Sequence, residues 1–330
     1  MNIFSPLIYL IIPFITYKIS KILNIYDQPN STLKLHSKSI PYSGGLLSIF
    51  CILLFILLNG AHLPIICILI IAILGLLDDL FELSIIFRLV VEFSVIGTLT
   101  YYYFGPANVF LYSLLTFIGV LLINAFNFID IKDGLLTSYT LVSLCAVLNF
   151  NSLSQDQYLL NYASLFILSI IGFYLLNAES AKTYQGDGGS YAIATLFYSF
   201  LLSILGSKNS INHIFNLNIE NNFIAFSSHT IALYFYLLIF LPVIYEFIFV
   251  VLVRLKKGLN PLKGSNDHTA ILLAYRNHSS FGISGLFTIA PIISLLYSSI
   301  VLNNINIISL ISILLYFIIF STKYLLIVRN

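Results

Sequence analysis

Long apolar runs, broken by short polar stretches, fill the chain from end to end. They predict membrane-spanning helices near 3–23, 44–60, 63–77, 86–104, 107–127, 136–150, 161–177, 191–206, 229–253, 281–301 and 305–327. Most approach the roughly 20 residues that an α-helix needs to cross a bilayer core. Lipid offers the backbone no partners, so helices that satisfy their own N–H and C=O groups are the structure this pattern favours. The predicted architecture is all-α and polytopic: about 10–11 transmembrane helices forming a single domain over residues 1–330.

Alternating the loops divides them into two sets. One comprises 24–43, 78–85, 128–135, 178–190, 254–280 and the C-terminal tail. The other comprises the N-terminus, 61–62, 105–106, 151–160, 207–228 and 302–304. Of the 15 lysines and arginines, Lys208 alone lies in or beside the second set. The excess of basic residues marks cytoplasmic loops, which predicts an external N-terminus and a cytoplasmic C-terminus.

Composition sharpens this picture. Charged residues make up 8% of the chain, against about 25% in a soluble domain. The net charge is +2, and no basic cluster carries interleaved aromatics, so nothing points to nucleic acid. Cys51, Cys67 and Cys145 are odd in number and widely spaced, which fits neither a disulfide framework nor a CxxC metal site. Trp is absent, leaving tyrosines such as Tyr101, Tyr102 and Tyr103 for the interfacial belt. Lys18 and Lys21 follow the first apolar run rather than precede it, so residues 1–23 do not read as a cleavable signal.

The chain has only 13 acidic residues, and five aspartates stand at the ends of apolar runs: Asp78, Asp79, Asp130, Asp133 and Asp187. All five fall on the predicted cytoplasmic side, a topology that rests on lysine and arginine alone. Carboxylates at a membrane span are costly and mark functional sites. In Asn124-Ala-Phe-Asn127-Phe-Ile-Asp130-Ile-Lys-Asp133-Gly134, a helix continuing past the span places Asn127, Asp130 and Asp133 on one face. Gly186-Asp187-Gly188-Gly189-Ser190 reads as a glycine turn with Ser190 as the N-cap of a helix starting near Tyr191. Such a terminus binds anions, and Asp187 beside it could hold a cation that bridges to phosphate. Asp78 and Asp79 repel one another unless a cation or a shared proton intervenes, the plainer alternative being pairing with Arg88. Pro41-Tyr-Ser-Gly44-Gly45 follows Lys34, His36 and Lys38, a combination suited to a lipid phosphate or simply to a basic loop. Hard oxygen ligands without a cysteine cluster favour Mg²⁺ or Mn²⁺ over zinc. Phosphoryl transfer calls for such parts.

In sequence order, Asp27-Gln-Pro29, Pro41-Tyr-Ser-Gly44-Gly45, Gly75-Leu-Leu-Asp78-Asp79, Asn124-Ala-Phe-Asn127-Phe-Ile-Asp130, Gly186-Asp187-Gly188-Gly189-Ser190 and Asn260-Pro261 leading to Asp267-His268 resemble the polyprenyl-phosphate N-acetylhexosamine-1-phosphate transferases. The resemblance implies Mg²⁺-dependent transfer of a sugar-1-phosphate from a UDP-sugar to undecaprenyl phosphate, with release of UMP. Asp187 and Asn127 would be the metal ligands. Asp78, Asp79 and Asp130 would be the catalytic carboxylates, the first two beside the lipid phosphate. Lys38, Gly44, Gly45, Asp133, Asn177, Asp267 and His268 would bind substrate. Ile131 replaces the usual glycine, the family's His-rich last motif is reduced to Asp267-His268-Thr-Ala-Ile271, and Arg88 and Glu92 stand where the family has Lys and Gln. These departures favour the undecaprenyl-phosphate N-acetylglucosamine-1-phosphate branch over phospho-N-acetylmuramoyl-pentapeptide transferase. They imply an enzyme of the bacterial plasma membrane that starts an O-antigen, capsule or other surface glycan, possible as a homodimer. A secondary transporter also uses intramembrane acids, but it carries them near the midplane and often on repeats. No repeat is visible here.

Overall fold

The structure, a computed structural model, describes residues 5–27, 38–105, 109–149, 156–178, 180–206, 218–220, 223–225, 228–260, 267–275 and 278–300. Its elements are α1 (Ser5–Ile22), β1 (Tyr26–Asp27), β2 (Ile40–Pro41), α2 (Gly44–Asn59), α3 (Leu63–Phe81), α4 (Ile85–Phe104), α5 (Val109–Ile129), α6 (Leu135–Asn149), α7 (Gln157–Asn177), α8 (Gly186–Leu205), β3 (Asn218–Glu220), β4 (Phe223–Ala225), α9 (Ser228–Lys256), α10 (Thr269–Tyr275) and α11 (Ser280–Ile300). α3, α4, α5, α7, α8 and the Phe235–Lys256 part of α9 are long and apolar enough to cross a membrane, and α2, α6 and Gly282–Ser294 are shorter apolar helices. The chain is an all-α polytopic membrane protein. The expected span at 305–327 lies outside the described residues.

α8 is the axis of the bundle. It packs against α2, α3, α4, α5 and α9, and every residue of it except Asp187 is buried. Its hydroxyl side chains return to their own helix: Thr195 Oγ1 donates to the Tyr191 carbonyl at 2.9 Å and Ser199 Oγ to the Thr195 carbonyl at 2.7 Å. That satisfies polar atoms where no water reaches. Glycine permits the tightest approach. A Cβ on Gly75 would stand 2.5 Å from the Asp187 backbone, and one on Gly188 would stand 2.8 Å from the Leu76 nitrogen. α3 and α8 therefore touch backbone to backbone at the level of their acids.

Three boundaries differ from expectation, each for a local reason. α3 continues through Asp78 and Asp79 to Phe81, because Asp78 accepts from the Leu83 amide at 2.7 Å and pairs with Arg88. α8 begins at Gly186, so Ser190 lies inside the helix and is not its cap. α5 ends at Ile129, which places Asp130 and Asp133 in the following turn rather than on one helical face with Asn127. The antiparallel pairing of β1 with β2 and the short α10 inside loop 254–280 carry no hydrophobic periodicity long enough to be read from sequence.

Candidate active site

Glycine-rich segments are poor helix formers, yet α8 starts within one. Its first amides are satisfied from other parts of the chain. The Asp187 and Gly188 N–H groups donate to the Asp79 carboxylate at 3.0 and 3.2 Å, and the Gly186 N–H donates to Asp130. Two carboxylates thus supply the cap the local sequence lacks, in the favourable orientation of negative charge at a helix N-terminus.

Around this start the acids converge. Asp78 and Asp187 lie within hydrogen-bonding reach of each other. The Arg88 guanidinium contacts Asp78 through Nη1, stands 3.7 Å from Asp187 Oδ2, and donates to Tyr191 Oη at 3.1 Å. Asn127 Oδ1 lies 3.4 Å from Ser190 Oγ on α8. Burial, reinforced by the charge of Asp187, pushes the Asp130 carboxyl up to about 8. Carboxylates crowded this way favour a proton or a cation among them.

A cavity of about 620 Å³ opens from this cluster between α4, α5 and α9. Its polar end carries Arg88, Asn127, Asp130, Arg254 and His268, and its apolar walls include Ile85, Leu89, Phe93 and Phe117. Deeper along it, Asn124 Nδ2 donates to Glu92 Oε2 at 2.9 Å, and Glu92 is 1% exposed. On the α9 side His268 is buried rather than solvated. Its Nε2 faces Arg254 Nη2 at 3.4 Å, its Nδ1 faces Glu246 Oε1 at 3.4 Å, and its ring meets Phe128 edge-on.

The expected substrate-binding residues divide into two groups. Asp267 pairs with Lys257, next to His268. Lys38 is exposed two residues before β2. The other four are engaged in building the scaffold. Gly44 and Gly45 pack α2 against α8: a Cβ on Gly44 would meet the Gln185 carbonyl at 2.3 Å, and one on Gly45 would stand 3.2 Å from the Gly188 Cα. Asp133 Oδ2 accepts the Ala181 amide at 3.2 Å and ties two loops together. Asn177 is buried with both ends of its amide used, accepting from Thr137 Oγ1 at 2.6 Å and donating to the Thr183 carbonyl at 2.9 Å. Among the described residues no group of three or more His, Cys, Asp or Glu is drawn together as a ready metal cluster. Arg88, Glu92, Asn124, Glu246 and Arg254 were not expected as site residues. The signal that could have found them is charge or amide inside an apolar span.

This fold and site define a polytopic helical membrane protein with a carboxylate-lined cavity at one end of the bundle. Residues 62–206 match the family model glycosyl transferase family 4. The match contains all five of the aspartates Asp78, Asp79, Asp130, Asp133 and Asp187. Similar proteins include an undecaprenyl-phosphate alpha-N-acetylglucosaminyl 1-phosphate transferase of Thermotoga maritima, 31% identical over 54% of this chain and 59% of the relative. A probable undecaprenyl-phosphate N-acetylglucosaminyl 1-phosphate transferase of Bacillus subtilis is 28% identical over 63% of each chain. An undecaprenyl-phosphate alpha-N-acetylglucosaminyl 1-phosphate transferase of Salmonella typhimurium is 26% identical over 85% of this chain and 77% of the relative. The aligned segment therefore spans less than two thirds of the first two relatives.

Proposed function

We propose that the protein transfers N-acetylhexosamine-1-phosphate from a UDP-sugar to undecaprenyl phosphate. In this reaction an oxygen of the lipid phosphate attacks the β-phosphorus of the UDP-sugar. The new P–O–P bond joins lipid and sugar phosphate, the bond from the β-phosphorus to the bridging oxygen breaks, and UMP leaves with that oxygen. The observation that carries the reading is the lining of the cavity, which combines carboxylate, amide and guanidinium groups with apolar wall residues. An amphiphile with a phosphate head matches that combination.

A Mg²⁺ ion fits the residues present. The donors are oxygens of Asp187, Asn127 and Asp130, hard ligands of the kind Mg²⁺ takes. Such an ion would offset charge developing on the transferred phosphoryl group. Within the chain, Asp79 and Asp130 set the start of α8 and thereby the position of Asp187. Asp78 orients Arg88, and the apolar walls exclude water.

By the distribution of basic residues the site faces the cytoplasm of a bacterial plasma membrane, and the product starts a surface glycan. The test is a panel of UDP-sugars offered with undecaprenyl phosphate to membranes carrying the protein, with the nucleotide product identified. UMP release dependent on Mg²⁺ is expected; UDP release would mean plain glycosyl transfer and reject the reading.

A further inference from the structure

We propose that Glu246 is a positioning residue that fixes the tautomer of His268, an inference that rests on the transferase reading. His268 and Arg254 line the cavity on its α9 side. Glu246, about two turns before Arg254 on α9, is fully buried behind that wall. Its Oε1 accepts the Thr269 amide at 2.8 Å, which docks the start of α10 and with it the neighbouring His268. The same oxygen stands 3.4 Å from His268 Nδ1. On the other side of the ring, Nε2 stands 3.4 Å from Arg254 Nη2.

Two neighbours of opposite kind decide where the proton sits. A guanidinium has only donors, so Nε2 serves Arg254 as an acceptor. The proton of the neutral ring then belongs on Nδ1, facing a carboxylate that receives it. The other tautomer sets N–H against N–H at Arg254 and lone pair against carboxylate at Glu246. Burial sharpens the choice. His268 Nδ1 and Glu246 Oε2 are both enclosed, and neither has a hydrogen-bond partner among the described residues. A buried donor and a buried acceptor left unmade are costly, and a bond from Nδ1–H to this carboxylate removes both penalties. Phe128 meets the imidazole edge-on and lies under the guanidinium, its centroid 5.1 Å from Arg254 Cζ, which restricts both groups. With the proton on Nδ1, the ring holds Arg254 in one orientation at the cavity wall. Glu246 reaches the reacting groups only through these two side chains.

The experiment combines NMR of the ring nitrogens, in purified protein isotope-labelled at histidine, with steady-state kinetics of Glu246→Gln. The His268 signals are identified by their loss in His268→Gln. At alkaline pH, where the ring is neutral, the wild type is expected to carry the proton on Nδ1. Glu246→Gln keeps an oxygen for the Thr269 amide, so Tm should stay near that of the wild type. Its NH₂ group now faces Nδ1, and the proton is expected to move to Nε2. The kcat for UMP release is expected to fall about ten- to hundredfold, the loss associated with one hydrogen bond to a charged group, with both KM values nearly unchanged. A wild-type proton on Nε2, an unchanged kcat in Glu246→Gln, or a fall in kcat with the tautomer unchanged overturns the assignment. If the wild type releases no UMP, the transferase reading fails by itself, and the spectra still decide whether Glu246 sets the tautomer. Should Glu246→Gln not fold, the wild-type spectrum decides alone: a proton on Nδ1 supports the assignment and one on Nε2 rejects it.

Discussion

The Asp79 carboxylate, in the last turn of α3, accepts the backbone N–H of Asp187 at 3.0 Å and so holds the first turn of α8 in place. One acid builds the helix start that presents another. The side chain in question therefore has a structural duty that exists before any substrate binds. Replacing it should be visible in stability as well as in turnover.

Asp79→Ala leaves the Asp187 and Gly188 amides without their acceptor. The expected cost is about 2 kcal/mol, in the range for lost helix caps and charge-assisted hydrogen bonds. Thermal unfolding in detergent measures it. A variant that melts with the wild type while losing activity would assign Asp79 to chemistry alone.

Asp187→Asn removes the charge nearest the helix start but keeps its size. Mg²⁺ is expected to raise Tm of the wild type and not of the variant, with sugar-1-phosphate transfer lost and the unliganded fold retained. An equal Mg²⁺ shift in both proteins would place the cation elsewhere.

Gly75→Val and Gly285→Ala form a contrasting pair. A side chain at Gly75 meets the Asp187 backbone at 2.5 Å, and neither α3 nor α8 can move without disturbing the acids. Overpacking of this kind costs about 1–3 kcal/mol or more, and folded yield after membrane extraction should fall sharply. At Gly285, within α11, a Cβ finds nothing within 4 Å, so Gly285→Ala should be neutral or up to about 1 kcal/mol stabilising.

Glu92 and Asn124 join α4 to α5 along the cavity. Asn124→Leu strands the buried Glu92 carboxyl and should destabilise by about 1–3 kcal/mol, whereas Glu92→Leu/Asn124→Leu removes both polar partners and should recover much of it. A double-mutant cycle by thermal unfolding gives the coupling. Additive losses would show that the two side chains do not depend on each other.

Much of this architecture was legible from spacing alone. Apolar runs located the described helices to within a few residues at most of their ends, because a spanning helix has little freedom in length or composition. The errors cluster at the acids. α3 runs on through Asp78-Asp79 and α8 begins in a glycine-rich segment because partners from other helices satisfy groups that the local sequence leaves exposed. His268 illustrates the same limit: a lone loop histidine reads as solvated, yet Phe128, Glu246 and Arg254 enclose it from α5 and α9.

By itself, the sequence determined that this is a helical membrane protein with five of its few aspartates at one set of span ends, because hydrophobic length and the cost of charge in lipid are written residue by residue. Only the tertiary structure decided what each acid does. Asp79 and Asp130 cap α8, Asp78 holds Arg88, Asp133 ties loops, and Gly44 and Gly45 pack helices rather than border open space. Except for the Asp78–Arg88 pair, the roles of these acids depend on hydrogen bonds between residues about fifty to more than a hundred positions apart, such as Asp79 to Gly188 and Asp133 to Ala181. A local pattern carries no record of such partners, since they meet only after the bundle has closed around α8.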